Sequence, residues 1–179
     1  MRKLKNEELD RLLPDQFRNV GKQPVVLVLD DVRSATNVGS AFRTSDAFLI
    51  EKIYLCGITA QPPHREINKT ALGAQHTVEW THTEEISDCI SQLKKEGFQI
   101  VAVEQADEST SLIDFKIEKD SKYAFVFGNE VFGVNDAVVQ KADTVLEIPQ
   151  YGTKHSLNIS VSIGVVLWDF LAKKEKANS

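Results

Sequence analysis

Hydrophobic and polar positions along the chain fall into two kinds of block. Short apolar runs that end at glycine, proline or a polar cluster read as buried strands. They are Val25-Val26-Leu27-Val28-Leu29, Lys52 to Cys56, Phe98 to Val103, Tyr123 to Phe127 and Val145 to Ile148, with Thr77 to Trp80 as a weaker sixth. Between them apolar residues recur at helical spacing. Leu9, Leu12, Leu13 and Phe17 predict an amphipathic helix over 6–19, and Val38, Ala41, Phe42 and Phe48 predict one over 37–48. A short helix is predicted to end near Leu72, a longer one runs from Ile86 to Lys95 and stops before Gly97, and another spans Asp136 to Ala142. Strands alternating with helices predict an α/β fold with a mainly parallel sheet flanked by helices.

The last segment, Leu157 to Leu171, alternates like a strand over its first residues, yet it is too long for one and has no turn inside it. Length favours a helix, with Ser156 as its expected N-cap. Its apolar residues wrap nearly all round: Ile159, Ile163, Val166 and Phe170 on one side, Val161, Val165 and Trp168 on others. Such a helix needs cover on several faces. The sheet supplies one cover, and a second subunit is the expected other.

Composition narrows the class. The chain has 179 residues, 42% of them hydrophobic, enough for one compact domain. No apolar run approaches the ~20 residues of a membrane helix, and the N-terminus has no apolar signal core, so a cytoplasmic protein is expected. Two cysteines, Cys56 and Cys89, make no disulfide framework. The net charge of −5 argues against binding nucleic acid with the whole surface. Basic residues instead gather at the ends. Residues 1–22 carry six basic against four acidic side chains, and the 173–179 tail carries Lys173, Lys174 and Lys176 against Glu175. The expected organisation is a basic helical extension over 1–22, one domain over 23–172 and a Lys-rich tail.

In a parallel α/β sheet, ligands collect at the carboxyl ends of the strands. Three such ends are rich in glycine and polar residues. In the first, Asp30 to Arg43, helical geometry puts Thr36, Gly39 and Arg43 on one side, away from the apolar stripe. Gly39 lets a ligand or a backbone approach closely, Asn37 or Thr36 is a candidate cap, and a helix N-terminus with an arginine suits an anion. A solvated Arg43 beside a packed Gly39 fits the spacing equally well. The second is Gly128-Asn129-Glu130-Val131-Phe132-Gly133, where two glycines and a carboxylate follow an apolar strand. It is a ligand loop or a tight turn. The third runs from Ile148 to Asn158, a polar loop feeding the apolar last helix. Asn158 there demands a hydrogen-bond partner. Dinucleotide and P-loop glycine patterns, a nucleophile elbow and zinc-ligand spacing are all missing, so no metal is expected.

Taken together and in this order, the segments resemble the SpoU/TrmH family of RNA ribose 2′-O-methyltransferases, within the SPOUT superfamily, over about residues 25–172. The first family motif resembles Asn37-Val38-Gly39 with Arg43-Thr44 and Asp46-Ala47-Phe48. The second resembles Phe127-Gly128-Asn129-Glu130 with Gly133. The third resembles Ile148-Pro149, Gly152 and Ser156-Leu157-Asn158-Ile159-Ser160-Val161. Lys69-Thr70-Ala71-Leu72-Gly73-Ala74 resembles the stretch before the family's third strand. Val131-Phe132, His155 and Ser162 depart from common family residues.

The resemblance implies a deep C-terminal trefoil knot over roughly 123–165, S-adenosylmethionine as cofactor, RNA as substrate and a homodimer with the active site at the subunit interface. It implies that Gly128, Ile148 and Leu157 hold the cofactor through backbone groups, with the strand end Glu104-Gln105, Asn129 and Gly133 nearby. Arg43 is implied as the catalytic residue, with Asn37, Glu130, Ser156 and Asn158 around it. Glu130 would orient Arg43 or the substrate. Arg33, Arg65, Lys69 and Lys154 are candidates for phosphate contact. With no large recognition domain expected, transfer RNA is favoured over ribosomal RNA. A SPOUT enzyme methylating a base, or a non-catalytic RNA- or cofactor-binding module, are the alternatives.

Overall fold

The computed structural model describes residues 1–177; Asn178 and Ser179 of the predicted tail lie outside the described residues. Seven strands form one sheet: β1 (Gln23–Asp30), β2 (Ile50–Cys56), β3 (Glu79–Thr83), β4 (Phe98–Val103), β5 (Thr110–Ser111), β6 (Lys122–Phe127) and β7 (Thr144–Glu147). Their spatial order is β3-β2-β1-β6-β4-β7-β5, and every pair is parallel. The chain first builds outward from β1 to β3. It then crosses to the other half of the sheet, where β6 enters between β1 and β4 after both are in place, and β7 enters between β4 and β5.

Helices cover both faces, which explains why the central strands β1 and β6 are apolar in a continuous run, 24–29 and 123–127. On β1, Val25, Leu27 and Leu29 face one core and Val26 and Val28 face the other. On β6, Tyr123, Phe125 and Phe127 face the first core, Ala124 and Val126 the second. The first core holds α2 (Ala35–Ala47), α3 (Arg65–Ala71) and α6 (Ile159–Ala177). The second holds α4 (Ile86–Lys95) and α5 (Asp136–Lys141). The larger first core carries an aromatic cluster in which Phe170 of α6 meets Tyr123 and Phe125 edge-on at 5.7 and 6.1 Å.

Four expectations need correction. The predicted helix over 6–19 is a 3-10 turn at Asn6–Glu8 followed by α1 (Pro14–Asn19). Pro14 starts the helix, the Gln16 side chain accepts from the Leu13 N–H at 2.8 Å, and only Phe17 of the apolar set reaches the core. Leu9, Leu12 and Leu13 stay exposed. The third strand begins at Glu79 rather than Thr77, because 74–78 form a tight turn in which the Val78 N–H donates to Ala74 O. The cap of α2 is Ser34, whose Oγ accepts from the Asn37 N–H, not Asn37 or Thr36. The cap of α6 is Asn158, not Ser156. Its Oδ1 accepts from the Ser160 N–H at 2.8 Å, which answers the demand of a polar amide opening an apolar helix.

The last helix buries Ile159, Ile163, Val166, Leu167 and Phe170. Val161, Val165 and Trp168 remain 50%, 37% and 65% exposed, an apolar stripe with no cover within one chain. No helix among the described residues is long and apolar enough to cross a membrane.

Candidate active site

The site is built from three loops at the carboxyl ends of the strands, and the middle one organises the other two. Loop 128–133 follows β6 and doubles back on itself: the N–H of Asn129 donates to Gly133 O, and that of Gly133 to Asn129 O, both at 2.9 Å. Asn129 Oδ1 accepts from the N–H groups of Val131 at 2.8 Å and Phe132 at 3.2 Å. The fold-back requires Gly128, since a Cβ there would lie 2.1 Å from the Gly133 carbonyl carbon. It also requires Gly133, whose φ is +73° and whose added Cβ would lie 2.2 Å from Glu104 Oε2.

Glu104 follows β4 and braces this loop from below. Its Oε2 accepts from the Val134 N–H at 2.9 Å and its Oε1 from the Gln105 N–H at 2.8 Å. Glu130 braces the loop against the one after β1. Its carboxylate accepts from the N–H of Arg33 at 3.0 Å, the N–H of Ser34 at 3.1 Å and Asn37 Nδ2 at 3.1 Å. Burial alone would raise the Glu130 pKa. The N–H groups of Arg33 and of Glu130 itself, the Asn37 amide and the Ser34 N–H outweigh it and hold the carboxyl below its ordinary value. Asn129 Nδ2 adds a tie to Asp31 O at 2.7 Å. The third loop, 148–158, is pinned where Gln105 Nε2 donates to His155 O at 2.9 Å.

Between the second and third loops lies a cleft of about 560 Å³, within the ~300–1,000 Å³ of small-molecule sites. It brings together every residue implied for cofactor binding: Gly128, Ile148, Leu157, Gln105, Asn129 and Gly133. Glu130, Ser156 and Asn158 line it too. The amide groups of Ile148 and Leu157 donate to no described residue, so both remain available to a ligand. Apolar Val103, Phe127 and Leu146 form the floor. Two free backbone donors beside an apolar floor suit a small molecule with polar edges.

Other predicted residues lie elsewhere. Asn37 reaches the cleft only through Glu130. Arg43 is exposed on α2, lines no part of the cleft, and makes no hydrogen bond or ion pair with a described residue. Glu130 therefore holds Asn37 and the first loop rather than Arg43 within one chain. Gly39 admits a backbone rather than a ligand: a Cβ there would lie 2.0 Å from Thr70 Oγ1 and 2.6 Å from Ile67 O of α3. Arg33 joins the site through its backbone only, with an exposed side chain. Arg65 and Lys69 sit on α3, each 3.9 Å from Glu66, and Lys154 is exposed on the third loop. Glu104 lines the cleft beside Gln105, where the resemblance put that strand end, and Gln150 lines it without standing out in the sequence pattern. For Glu104 the available signal is an acid placed directly after an apolar strand. Among the described residues no cluster suited to a metal occurs.

A parallel sheet with a small-molecule cleft at its carboxyl edge defines a ligand-binding α/β protein, and sequence comparison narrows this sharply. The profile of the SpoU rRNA Methylase family matches residues 24–168, and the chain belongs to that family. It is 30% identical over 158 residues to the tRNA (guanosine(18)-2'-O)-methyltransferase of Aquifex aeolicus, covering 87% of this chain and 72% of that one. It is 28% identical over 155 residues to the 23S rRNA (guanosine-2'-O-)-methyltransferase RlmB of Neisseria meningitidis, covering 87% of this chain but only 61% of the relative. Among solved structures, the A. aeolicus TrmH/SpoU tRNA modifying enzyme superposes with a TM-score of 0.80 at 26% identity, over 92% of this chain and 84% of that one. The AdoMet-bound rRNA methyltransferase from Sinorhizobium meliloti superposes with a TM-score of 0.76 at 27% identity, over 86% and 58%.

Proposed function

We propose that this chain is an S-adenosylmethionine-dependent RNA ribose 2′-O-methyltransferase that works as a homodimer, with transfer RNA favoured over ribosomal RNA. The observation that carries the reading is the cleft itself, where the second and third family motifs converge, the first is tied in through Glu130, and the Ile148 and Leu157 amides are left without partners. The likeness to the Aquifex enzyme supports transfer RNA. The deep trefoil knot belongs to the same reading. It is supported by the late entry of β6 into the sheet centre and by the return of α6 to the face that covers β1.

S-adenosylmethionine supplies a methyl group already activated by its sulfonium. The backbone of Gly128, Ile148 and Leu157 holds the cofactor, and Glu104 and Glu130 keep the loop beneath it from moving. Ser156 and Asn158 position the third loop against the nucleotide. Arg43 grips a phosphate beside the target ribose and stabilises negative charge developing on the 2′-oxygen through its forked donors. A guanidinium stays protonated and is no base, so the 2′-OH proton is shared with the neighbouring phosphate as the methyl transfers. Arg33, Arg65, Lys69 and Lys154 supply further phosphate contacts. Because Arg43 does not face the cleft of its own chain, the reaction uses the Arg43 of a second copy, docked through the exposed stripe of α6.

The test is transfer of labelled methyl from S-adenosylmethionine to transfer RNA and to ribosomal RNA, in separate samples from a strain lacking the protein. Label is expected as a ribose methyl after digestion to nucleosides, and Arg43→Ala is expected to lose at least ~10²-fold in rate. Label on a base would assign a different SPOUT chemistry. Cofactor binding with no transfer to either pool would leave a binding module.

A further inference from the structure

The loop that organises the cleft also does something that hydrophobic burial does not explain. Phe132 lines the cleft and is nevertheless 86% exposed, with Val131 beside it at 65%. Exposed leucines and valines are ordinary, whereas a large aromatic held out in water beside a ligand site is informative. The backbone that carries Phe132 is held in place. Its backbone is tied by the Asn129 side chain, and the loop around it is closed by the reciprocal Asn129–Gly133 pair. Glu104 and Glu130 then fix that loop to two other strand ends. The other exposed aromatics differ. Trp168 packs on Phe48 at 6.2 Å within the apolar stripe of α6, and Tyr151 sits in the irregular third loop. Phe132 alone combines a rigid mount with a place on the cleft's rim.

We propose that Phe132 is a positioning residue for the substrate, the surface on which an unpaired RNA base stacks as its ribose enters the cleft. The inference rests on the RNA methyltransferase reading above. A ribose 2′-oxygen carried to the cleft brings a base with it, attached at the neighbouring ring carbon. That base needs an apolar face once it leaves its own stack. Single-stranded bases are commonly received on aromatic side chains, and the contact is tolerant of sequence because every base has a π-face. An aromatic on a braced backbone has only two side-chain torsions to fix on binding, which suits a role in placing the ribose.

The experiment compares wild type, Phe132→Ala and Phe132→Trp for binding to unfractionated transfer RNA and to a blunt RNA duplex. S-adenosylhomocysteine affinity by calorimetry and subunit association by sedimentation are measured alongside. Phe132→Ala is expected to weaken transfer RNA binding at least about fivefold, the lower end of what one base–aromatic stack supplies. Duplex binding and association state are expected to stay unchanged, and S-adenosylhomocysteine affinity to change by less than transfer RNA affinity. Phe132→Trp is expected to restore binding, with its indole emission quenched by transfer RNA beyond the change seen for wild type. The proposal is overturned if Phe132→Ala binds transfer RNA as wild type does, or loses duplex binding equally. It is overturned too if the variant dissociates into monomers, which would make Phe132 a subunit contact. A wild-type protein that binds neither RNA would instead remove the RNA reading itself, and this inference with it.

Discussion

Asp30 and Glu130 are carboxyl groups on adjoining strand ends that titrate in opposite directions, and their surroundings account for the difference. Burial raises the pKa of Asp30, the Asn135 N–H opposes the rise, and the charge of Asp31 adds to it. Glu130 has four donors against a weaker burial, and its pKa falls. A carboxyl whose pKa rises on folding favours the protonated form in the folded state. It therefore costs nothing below its ordinary value of 3.8 and lowers stability progressively as the pH climbs above it. Asp30→Asn keeps an oxygen for the Asn135 N–H and removes the charge. At neutral pH it is expected to raise stability, and this gain should vanish near pH 4. Urea unfolding at the two pH values reads the difference. A gain of equal size at both would show that the charge is not its source. Glu130 works in the reverse sense: its clamp on Arg33, Ser34 and Asn37 is present at neutral pH and weakens as acid protonates it.

At the scale of elements, the tightest constraint is the crossing of α2 and α3. Gly39 is where the two helices touch, with room for no side chain. Gly39→Ala is expected to destabilise by ~1–3 kcal/mol through overpacking, although alanine is the better helix former. Adding Thr70→Ala is expected to recover only part of the loss, because Ile67 O is backbone and does not move aside. Thermal or denaturant midpoints of the single and double variants decide this, and full recovery would place the clash on the Thr70 hydroxyl alone. This crossing also shows what was legible in the chain. Elements with a core of their own, such as Ile86 to Lys95 and Phe98 to Val103, stand in the structure with the bounds their pattern predicts. The 6–19 stretch has helical spacing but almost nothing to pack against, so periodicity overstates it. β5 has two residues and no pattern to read. The cleft residues of the second and third loops were visible because glycines and polar side chains interrupt apolar runs there. The bracing role of Glu104 was not, because it depends on a loop about 30 positions later in the chain folding back beneath it.

On the scale of the whole molecule, Arg43 lines no part of the cleft of its own chain, and the homodimer proposed above would join the two through the exposed stripe of Val161, Val165 and Trp168. Trp168→Glu is expected to yield a folded monomer that transfers no methyl, as judged by sedimentation and circular dichroism. Mixing Arg43→Ala with a cleft-blocked Gly128→Val chain is expected to restore part of the activity that each lacks alone. Failure of the mixture, with heterodimers shown to form, would place Arg43 and the cleft in one subunit. The position of β6 has a consequence for synthesis. Its neighbours β1 and β4 are both made before it, yet it lies between them, and the tie from Asn135 back to Asp30 spans 105 residues. A nascent chain that has emerged only as far as β4 therefore presents two bare strand edges with a gap between them. Exposed edges of this kind recruit foreign strands, and long-range pairings close slowly. Until the β6 segment leaves the ribosome, the growing polypeptide is a natural client for a chaperone that shields strand edges.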